Sequence, residues 1–203
     1  MRKILAELFR FLFQSNYIKS KHFGIHERII HPRNLFKGVT RTINYKGLQL
    51  ELHIDDWIQE NIYLLGDYEK AELETLKQFL TTGSVFIDIG ANFGLYTLNA
   101  SKLIGEKGKL ICFEPFQQNF DSLTKNIKLN GLTNVTAKKL AVGKNEGTID
   151  IYYDDKLNNL GLVSVTPSEK GIKEKVNLVS MDSYLNDKSL PQIDLIKIDV
   201  EGF

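Results

Sequence analysis

A carboxylate and a glycine-spaced loop follow a short apolar run in the middle of the chain. The strand-like residues 84–89 run into the segment 88–94, which reads DIGANFG. Gly90 and Gly94 let the backbone turn sharply and approach a ligand closely. A helix that opens after such a loop presents unpaired backbone N–H groups at its start. The pattern therefore predicts a ligand-binding loop between a strand and a helix.

The residues around the glycines indicate which ligand this loop suits. A dinucleotide-binding loop has the pattern G-x-G-x-x-G, which sets a pyrophosphate on the helix start. Here Asn92 stands at the middle glycine position, and Asp88 precedes the first glycine by two residues. A carboxylate at that place would repel a pyrophosphate and attract an ammonium group. The loop therefore favours the amino-acid end of S-adenosylmethionine over NAD.

A second acidic residue ends the next apolar run. Glu114 lies 24 residues after Gly90 and is followed by Pro115 and Phe116. A carboxylate at the end of the second strand accepts hydrogen bonds from ribose hydroxyls, and the two residues beside it would pack on the adenine face. A glycine loop alone is often only a tight turn. The two signals in this order and spacing predict a nucleoside site.

Short apolar strands alternate with helices on both sides of these signals. The strands are predicted at residues 84–89, 109–114, 135–142 and 193–200, and the helices between the first three at 94–104 and 116–130. Such alternation is typical of a parallel sheet with right-handed crossovers. Additional strands are predicted at 148–153 and 176–180, and a helix at 68–80 leads into the domain. We expect an α/β, doubly wound, mostly parallel sheet over residues 67–203.

Residues 1–66 are predicted to form an N-terminal extension. Alternating apolar residues indicate a β-hairpin from residues 39–45 and 48–54. Ile4, Leu5, Leu8, Phe11 and Leu12 fit one face of a helix at the start of the chain. That face would pack on the domain or on a second subunit, or it would contact a membrane surface with the help of nearby basic residues. The oligomeric state is left open.

Composition excludes several functional classes. Lys plus Arg total 26 and Asp plus Glu total 25, so the sequence has no overall basic footprint for nucleic acid. The one cysteine, Cys112, is expected to be buried in a strand, and the four histidines show no recognisable zinc spacing. We therefore expect no metal. No apolar run is long enough for a membrane span and no signal-peptide cleavage site is evident, so a cytoplasmic location is expected.

At this point the sequence resembles the FkbM-type methyltransferases. The resemblance extends from about Asp56 to Phe203. It rests on DIGANFG at 88–94, on Phe113-Glu114-Pro115, on Leu140-Ala141-Val142, and on DLIKIDVEGF at 194–203. Behind the second of these segments it also includes Asn126, Leu129, Asn130 and Gly131. No single segment is specific, whereas the combination is.

The resemblance implies a Rossmann-like class I methyltransferase that uses S-adenosylmethionine. By position, Asp88, Gly90, Asn92 and Gly94 would hold the methionine part of the donor, Glu114 would bind ribose, and Ala141 would lie against adenine. The acceptor would be a hydroxyl oxygen of a sugar, glycan or polyketide-type small molecule. Because the family continues past the last string, the sheet is expected to be truncated after its fourth parallel strand.

Transfer to a hydroxyl group also requires a general base. Asp199 and Glu201 follow the last predicted strand, where open α/β sheets place their ligands. We predict that one of them is the base, and Asp199 is preferred because it should abut the methyl group. Lys197, in the middle of the strand, is expected to be a structural or edge lysine.

Two other functions compete with methyl transfer. An NAD-dependent oxidoreductase is disfavoured by Asn92 in the glycine loop. A truncated, non-catalytic protein that binds only the cofactor or a protein partner belongs to a different class. The DNA beyond the last codon would distinguish it from the enzyme, because an open frame that encodes more strands favours the enzyme and a stop codon favours the inactive protein.

Overall fold

A computed structural model describes residues 1–153, 164–166, 171–186 and 192–200. The chain divides into two units, Met1–Lys70 and Ala71–Phe203. Among the residues described, no helix is both long enough and apolar enough to cross a membrane.

The N-terminal unit combines short helices with one β-hairpin. Its elements are α1 (Arg2–Leu12), α2 (Asn16–Lys19), α3 (His22–Ile25), a π-helical turn (His26–Ile30), β1 (Thr40–Tyr45), β2 (Leu48–His53) and α4 (Trp57–Leu65). The hairpin strands are antiparallel, and left-handed Lys46 and Gly47 form the tight turn between them. Leu48, Leu50 and Leu52 are buried, so the predicted alternation is confirmed.

Within the N-terminal unit, helix α1 packs through a face other than its apolar stripe. Ile4, Leu8 and Phe11 have exposed fractions of 76%, 51% and 74%. The buried side instead carries Ala6 and Phe13. Packing of the apolar stripe on the domain that follows stays a prediction. A second subunit or a membrane surface as partner of the stripe also stays a prediction.

The C-terminal unit contains two sheets. Its strands are β3 (Val85–Ile89), β4 (Lys109–Phe113), β5 (Val135–Lys138), β6 (Ala141–Val142), β7 (Gly147–Tyr153), β8 (Ile172–Val179) and β9 (Leu195–Ile198), and its helices are α5 (Lys70–Phe79), which begins at the boundary, α6 (Leu95–Ile104), α7 (Gln117–Leu129) and α8 (Met181–Asn186). The larger sheet has the order β5-β4-β3-β9, and each of its pairings is parallel. The predicted Rossmann-like α/β architecture with four parallel strands is confirmed.

The second sheet has the order β6-β8-β7. One strand had been predicted over residues 135–142, and that prediction is wrong. The chain leaves the larger sheet after Lys138, and Ala141 then pairs with Leu178 of β8. This break lets Leu140 and Val142 pack on the cluster of Ile87, Ile89, Ile111 and Phe113 from the larger sheet. The predicted strand at 148–153 is confirmed as β7, which is antiparallel to β8.

The two faces of β3 have different partners. Ile87 and Ile89 belong to the apolar cluster that also includes Tyr184 of α8. Asp88 projects to the opposite face, and its register partners are Cys112 on β4 and Lys197 on β9. Cys112 is buried in its strand as predicted, and burial raises the pKa of its thiol. One face of the sheet is therefore apolar at this level, whereas the other carries charge.

The end of β9 lies directly on the loop that follows β3. The backbone N–H of Asp199 donates a 3.0 Å hydrogen bond to the carbonyl of Ile89. Gly90 has a φ of +78°, and a Cβ atom there would lie 1.9 Å from the carbonyl oxygen of Asp199. A neighbour made of backbone cannot rotate away as a side chain can. Glycine is therefore required here both for its φ and for the space that it leaves.

Gly83 provides a matched control for the close approach at Gly90. It has a similar φ of +94°, but nothing lies within 4 Å of the position of its Cβ. We expect Gly83→Ala to cost about 1–2 kcal/mol of unfolding free energy through backbone strain alone. Gly90→Ala should cost clearly more, because the end of β9 must also move. Urea denaturation measures both values, and equal losses would contradict the close approach.

Candidate functional site

The loop after β3 is built from left-handed residues. Gly90, Asn92 and Gly94 have φ values of +78°, +51° and +100°. The N–H groups of Gly90 and Ala91 both donate to the carbonyl of Phe113, each at 3.0 Å. These bonds fix the loop to the end of β4. Three of the residues predicted from the sequence are thus brought together at the carboxyl ends of two parallel strands.

The far side of this loop packs on helix α7. A Cβ atom on Gly94 would lie 2.7 Å from Leu98 and 2.8 Å from Leu123. The side-chain amide of Asn126, which is fully buried, donates a 3.0 Å hydrogen bond to the carbonyl of Phe93. Asn126 is therefore a positioning residue for the loop. The sequence marked it only as part of a resemblance, because nothing local indicates that its amide reaches back 33 residues.

Asp88 is fully buried behind the loop. Thr97 Oγ1 donates a 2.7 Å hydrogen bond to Asp88 Oδ2, and Lys197 Nζ lies 3.3 Å from Asp88 Oδ1. Both carboxylate oxygens therefore face protein groups on α6 and β9. Direct contact of Asp88 with the ammonium group of a donor stays a prediction.

Lys197 joins three parts of the site. Besides its ion pair with Asp88, its Nζ donates a 2.8 Å hydrogen bond to the carbonyl of Gly90. It lies 4.9 Å from the centre of the Tyr96 ring and 3.7 Å from Asp199 Oδ2. Only 16% of its side chain is exposed. The structural role expected for Lys197 is thus specific: it pairs with a buried carboxylate and holds the loop that follows β3.

Glu114 connects the two sequence signals. Its Oε2 accepts a 2.7 Å hydrogen bond from the N–H of Asn92, and its Oε1 accepts one of 3.0 Å from the N–H of Phe116. The residue is 5% exposed. Burial raises the pKa of its carboxyl to about 7, although the two N–H donors act in the opposite direction. The carboxylate that was expected to bind ribose therefore also orders the loop around it.

The residues predicted to surround adenine lie close together. Phe116 is 1% exposed and packs in one cluster with Ala141, Ile151 and Val176. Its ring centre lies 4.6 Å from that of Tyr153. Pro115 beside it is half-buried. The structure thus joins Phe116 and Ala141, and the contact of these residues with adenine stays a prediction.

Of the two candidate general bases, the structure describes Asp199 but not Glu201. The side chain of Asp199 is 70% exposed at the end of β9. Glu201 lies outside the described residues. Next to Asp199, a cavity of about 390 Å³ opens at the ends of the strands; it is lined by Ile89, Val142, Gly143, Lys144, Ser180, Met181, Asp182, Ile198 and Val200.

Removing Lys197 should leave the Asp88 carboxylate buried without a cation. We expect Lys197→Met to lose about 3–5 kcal/mol of unfolding free energy. Asp88→Asn added to that variant should restore part of the loss. The control is Lys77→Met in α5, whose pair with Glu74 is about half exposed and should contribute about 1 kcal/mol or less. Urea denaturation of the original protein and the three variants measures this, and equal losses for the two lysines would contradict the assignment.

The raised pKa of Glu114 makes a sign-specific prediction. The unperturbed value is 4.5 and the folded value is about 7, so the folded state binds more protons between them. Its contribution to stability is present below pH 4.5 and is lost as the pH rises to about 7, by at most on the order of 3 kcal/mol. Glu114→Gln should lack this decline. Parallel pH profiles of unfolding free energy for the two proteins would refute the shift.

Known proteins match part of the chain. A relative named Methyltransferase 1, from Beauveria bassiana (strain ARSEF 2860), is 25% identical over 137 residues, which is 59% of this chain and 55% of the relative. Methyltransferase sdnD from Sordaria araneosa is 27% identical over 154 residues, 61% of this chain and 58% of the relative. The chain thus spans about half the length of the curated relatives that it matches.

Solved structures align with smaller parts of this chain than the two relatives do. A SAM dependent methyltransferase from Aquifex aeolicus is 30% identical over 39% of this chain and 45% of that chain, with a TM-score of 0.33. TYW2 from M. jannaschii, in complex with AdoMet, is 20% identical over 56% of this chain and 62% of that chain, with a TM-score of 0.38.

A family model described as the methyltransferase FkbM domain matches residues 88–203. The match begins at Asp88 and includes every residue that was predicted to bind the cofactor. Membership of a methyltransferase family also decides against the NAD-dependent alternative. Because the matched segment is more than half of the chain, the protein belongs to the methyltransferase FkbM domain family.

Proposed function

We propose that the protein transfers a methyl group from S-adenosylmethionine to a hydroxyl oxygen of a small-molecule or glycan acceptor. One observation carries the proposal: the 2.7 Å hydrogen bond from Asn92 N–H to Glu114. It brings the glycine loop and the acidic strand end, which the sequence separates, to one place at the carboxyl edge of a parallel sheet. Ligands of open α/β sheets bind at that edge.

The groups around the loop fit the parts of this donor. Gly94 caps α6 without a side-chain hydrogen bond, so the N–H groups of the first turn suit the methionine carboxylate. Each oxygen of Glu114 accepts one backbone N–H and retains a lone pair for a ribose hydroxyl. Asp88 acts as a positioning residue in this proposal, because Thr97 donates to Oδ2 and Lys197 pairs with Oδ1 at 3.3 Å, although Oδ1 accepts no hydrogen bond from the described residues.

The cavity beside Asp199 suits a small acceptor. Its volume of about 390 Å³ lies within the range of about 300–1,000 Å³ that is usual for small-molecule sites. Apolar side chains such as Met181 and Ile198 line it together with Lys144, Ser180 and Asp182. A mainly apolar wall with a few polar groups fits a hydroxylated ring compound better than a long charged polymer.

Asp199 is the proposed general base. Its carboxylate is 70% exposed and lies 3.7 Å from Lys197 Nζ on the loop side of β9, while its chain neighbours Ile198 and Val200 line the cavity. When bound, S-adenosylmethionine supplies an electrophilic methyl group on a sulfonium. Asp199 would accept the proton of the acceptor hydroxyl as the new carbon–oxygen bond forms, while the sulfur–methyl bond would break and leave S-adenosylhomocysteine. The protein's main contribution is to hold the two reactants in line.

A double-mutant cycle, in which Glu114 is substituted in the protein and a ribose hydroxyl is removed from the ligand, tests the donor site. Calorimetry compares S-adenosylhomocysteine with its 2′-deoxyribose analogue on the original protein, on Glu114→Gln, and on the exposed control Glu106→Gln. A hydrogen bond to the carboxylate should make the parent ligand bind about 10- to 100-fold more tightly. Glu114→Gln should lose most of that difference, whereas the control should keep it.

Other results of this experiment would show which part of the proposal fails. If Glu114→Gln weakens both ligands equally, the residue acts only through the loop. If neither ligand binds the original protein, the donor assignment fails. The same preparations are then incubated with methyl-labelled donor and a panel of hydroxylated monosaccharides and aromatic polyketides. Donor binding with no transfer to any of them would favour the non-catalytic alternative.

A further inference from the structure

A cluster of histidines and carboxylates lies in the N-terminal unit. His26, Glu27 and His31 offer ligand atoms that all lie within 4.8 Å of one another. His26 Nε2 is 3.9 Å from Glu27 Oε1. These residues are outside the family match at residues 88–203 and have no part in the proposed methyl transfer. Two imidazoles and a carboxylate are among the ligands that zinc takes in proteins.

The backbone brings the two imidazoles together through an unusual turn. His31 N–H donates a 2.9 Å hydrogen bond to the carbonyl of His26, which closes the five-residue π-helical turn. The two rings are nearly parallel, with an interplanar angle of 8° and centres 5.6 Å apart. In an α-helix, residues five apart do not share a face. Single π-helical turns are frequently found at functional sites.

A buried carboxylate orients the inner histidine. Glu60, whose side chain is 3% exposed, accepts a 2.9 Å hydrogen bond from His26 Nδ1. A carboxylate only accepts, so this contact favours the proton on Nδ1 and leaves Nε2, on the side of Glu27, as the atom that could bind a metal ion. Metal-bound histidines almost always have such a carboxylate or carbonyl behind them, because it fixes the tautomer and the ring orientation.

Aromatic packing holds this arrangement in place. The Trp57 ring centre lies 4.4 Å from that of His26, at an interplanar angle of 69°. The same ring stacks on His22 at 5.2 Å, and His22 Nε2 lies 3.3 Å from the same oxygen of Glu60. His26 is therefore a rigid and buried candidate ligand. His31 is exposed, and the side chain of Glu27 is 51% exposed, so both can rotate.

We propose that His26, Glu27 and His31 bind a divalent first-row metal ion, with zinc as the best fit, while Glu60 positions His26. Ligand atoms around tetrahedral zinc lie roughly 3.3–3.5 Å apart, given bonds of about 2.0–2.1 Å. Rotation of the exposed side chains of Glu27 and His31 would bring their ligand atoms from the present distances of up to 4.8 Å to the distances that zinc requires. A water molecule would complete the coordination on the exposed side. The ion would fasten the π-helical turn, so it should also raise the melting temperature.

Zinc titration of the untagged full chain tests this proposal. After removal of metal with EDTA, competition with a chromophoric chelator should show one tight zinc ion per chain. His31→Ala should weaken binding at least about tenfold, and Glu60→Gln should weaken it by roughly 10- to 100-fold. The matched control is His53→Ala, which removes an imidazole on β2 in the same unit and should leave the affinity unchanged.

Two readouts separate loss of a ligand from loss of the fold. Circular dichroism of metal-free His31→Ala should equal that of the metal-free original protein, because His31 is exposed. X-ray absorption of the zinc-loaded protein should show two imidazole ligands. The proposal is overturned if zinc does not bind, or if His31→Ala and His53→Ala bind it equally well.

Discussion

The buried charge of Asp88 constrains the arrangement of the ligand-binding edge. A carboxylate with no exposed surface at the centre of a parallel sheet needs a cation and a hydrogen-bond donor. Lys197 supplies the first from β9, and Thr97 supplies the second from α6. Because Lys197 also bonds to the carbonyl of Gly90, satisfying this charge fixes the strand order, the helix and the loop at the same time.

Glu114 shows how a second buried carboxylate is treated differently. Its oxygens accept backbone N–H groups from Asn92 and Phe116, and its pKa is raised mainly by burial. Asp88 has a cation at 3.3 Å, whereas the charge of Glu114 is stabilised mainly by the dipoles of two backbone N–H groups. A ligand that offers hydroxyl donors would add further hydrogen bonds to the charged form. In the proposed site the two carboxylates thus have separate tasks: Asp88 holds the scaffold, and Glu114 would respond to a bound ligand.

The sequence predicted the elements that local patterns encode. The apolar strand before DIGANFG, the loop, helix α6 and the acid at the end of β4 were all found, since each depends on neighbours in the chain. What was missed depends on distant residues. Examples are the partners of Lys197 and the division of residues 135–142 between two sheets. The cluster of His26 and His31 was missed because residues five apart lie side by side only on a π-helical turn. No local sequence pattern predicts such a turn.

The alternation of β9 explains how one short strand can serve both sides of the proposed site. Lys197 faces the loop, where it meets Asp88 and the carbonyl of Gly90. Ile198 and Val200 line the cavity. The side chain of Asp199 lies on the side of Lys197, 3.7 Å from its Nζ, and its main chain is held by the N–H bond to Ile89 and by the carbonyl against Gly90. Its main chain is therefore fixed while its exposed side chain can rotate, and a general base at the boundary between donor and acceptor needs both properties.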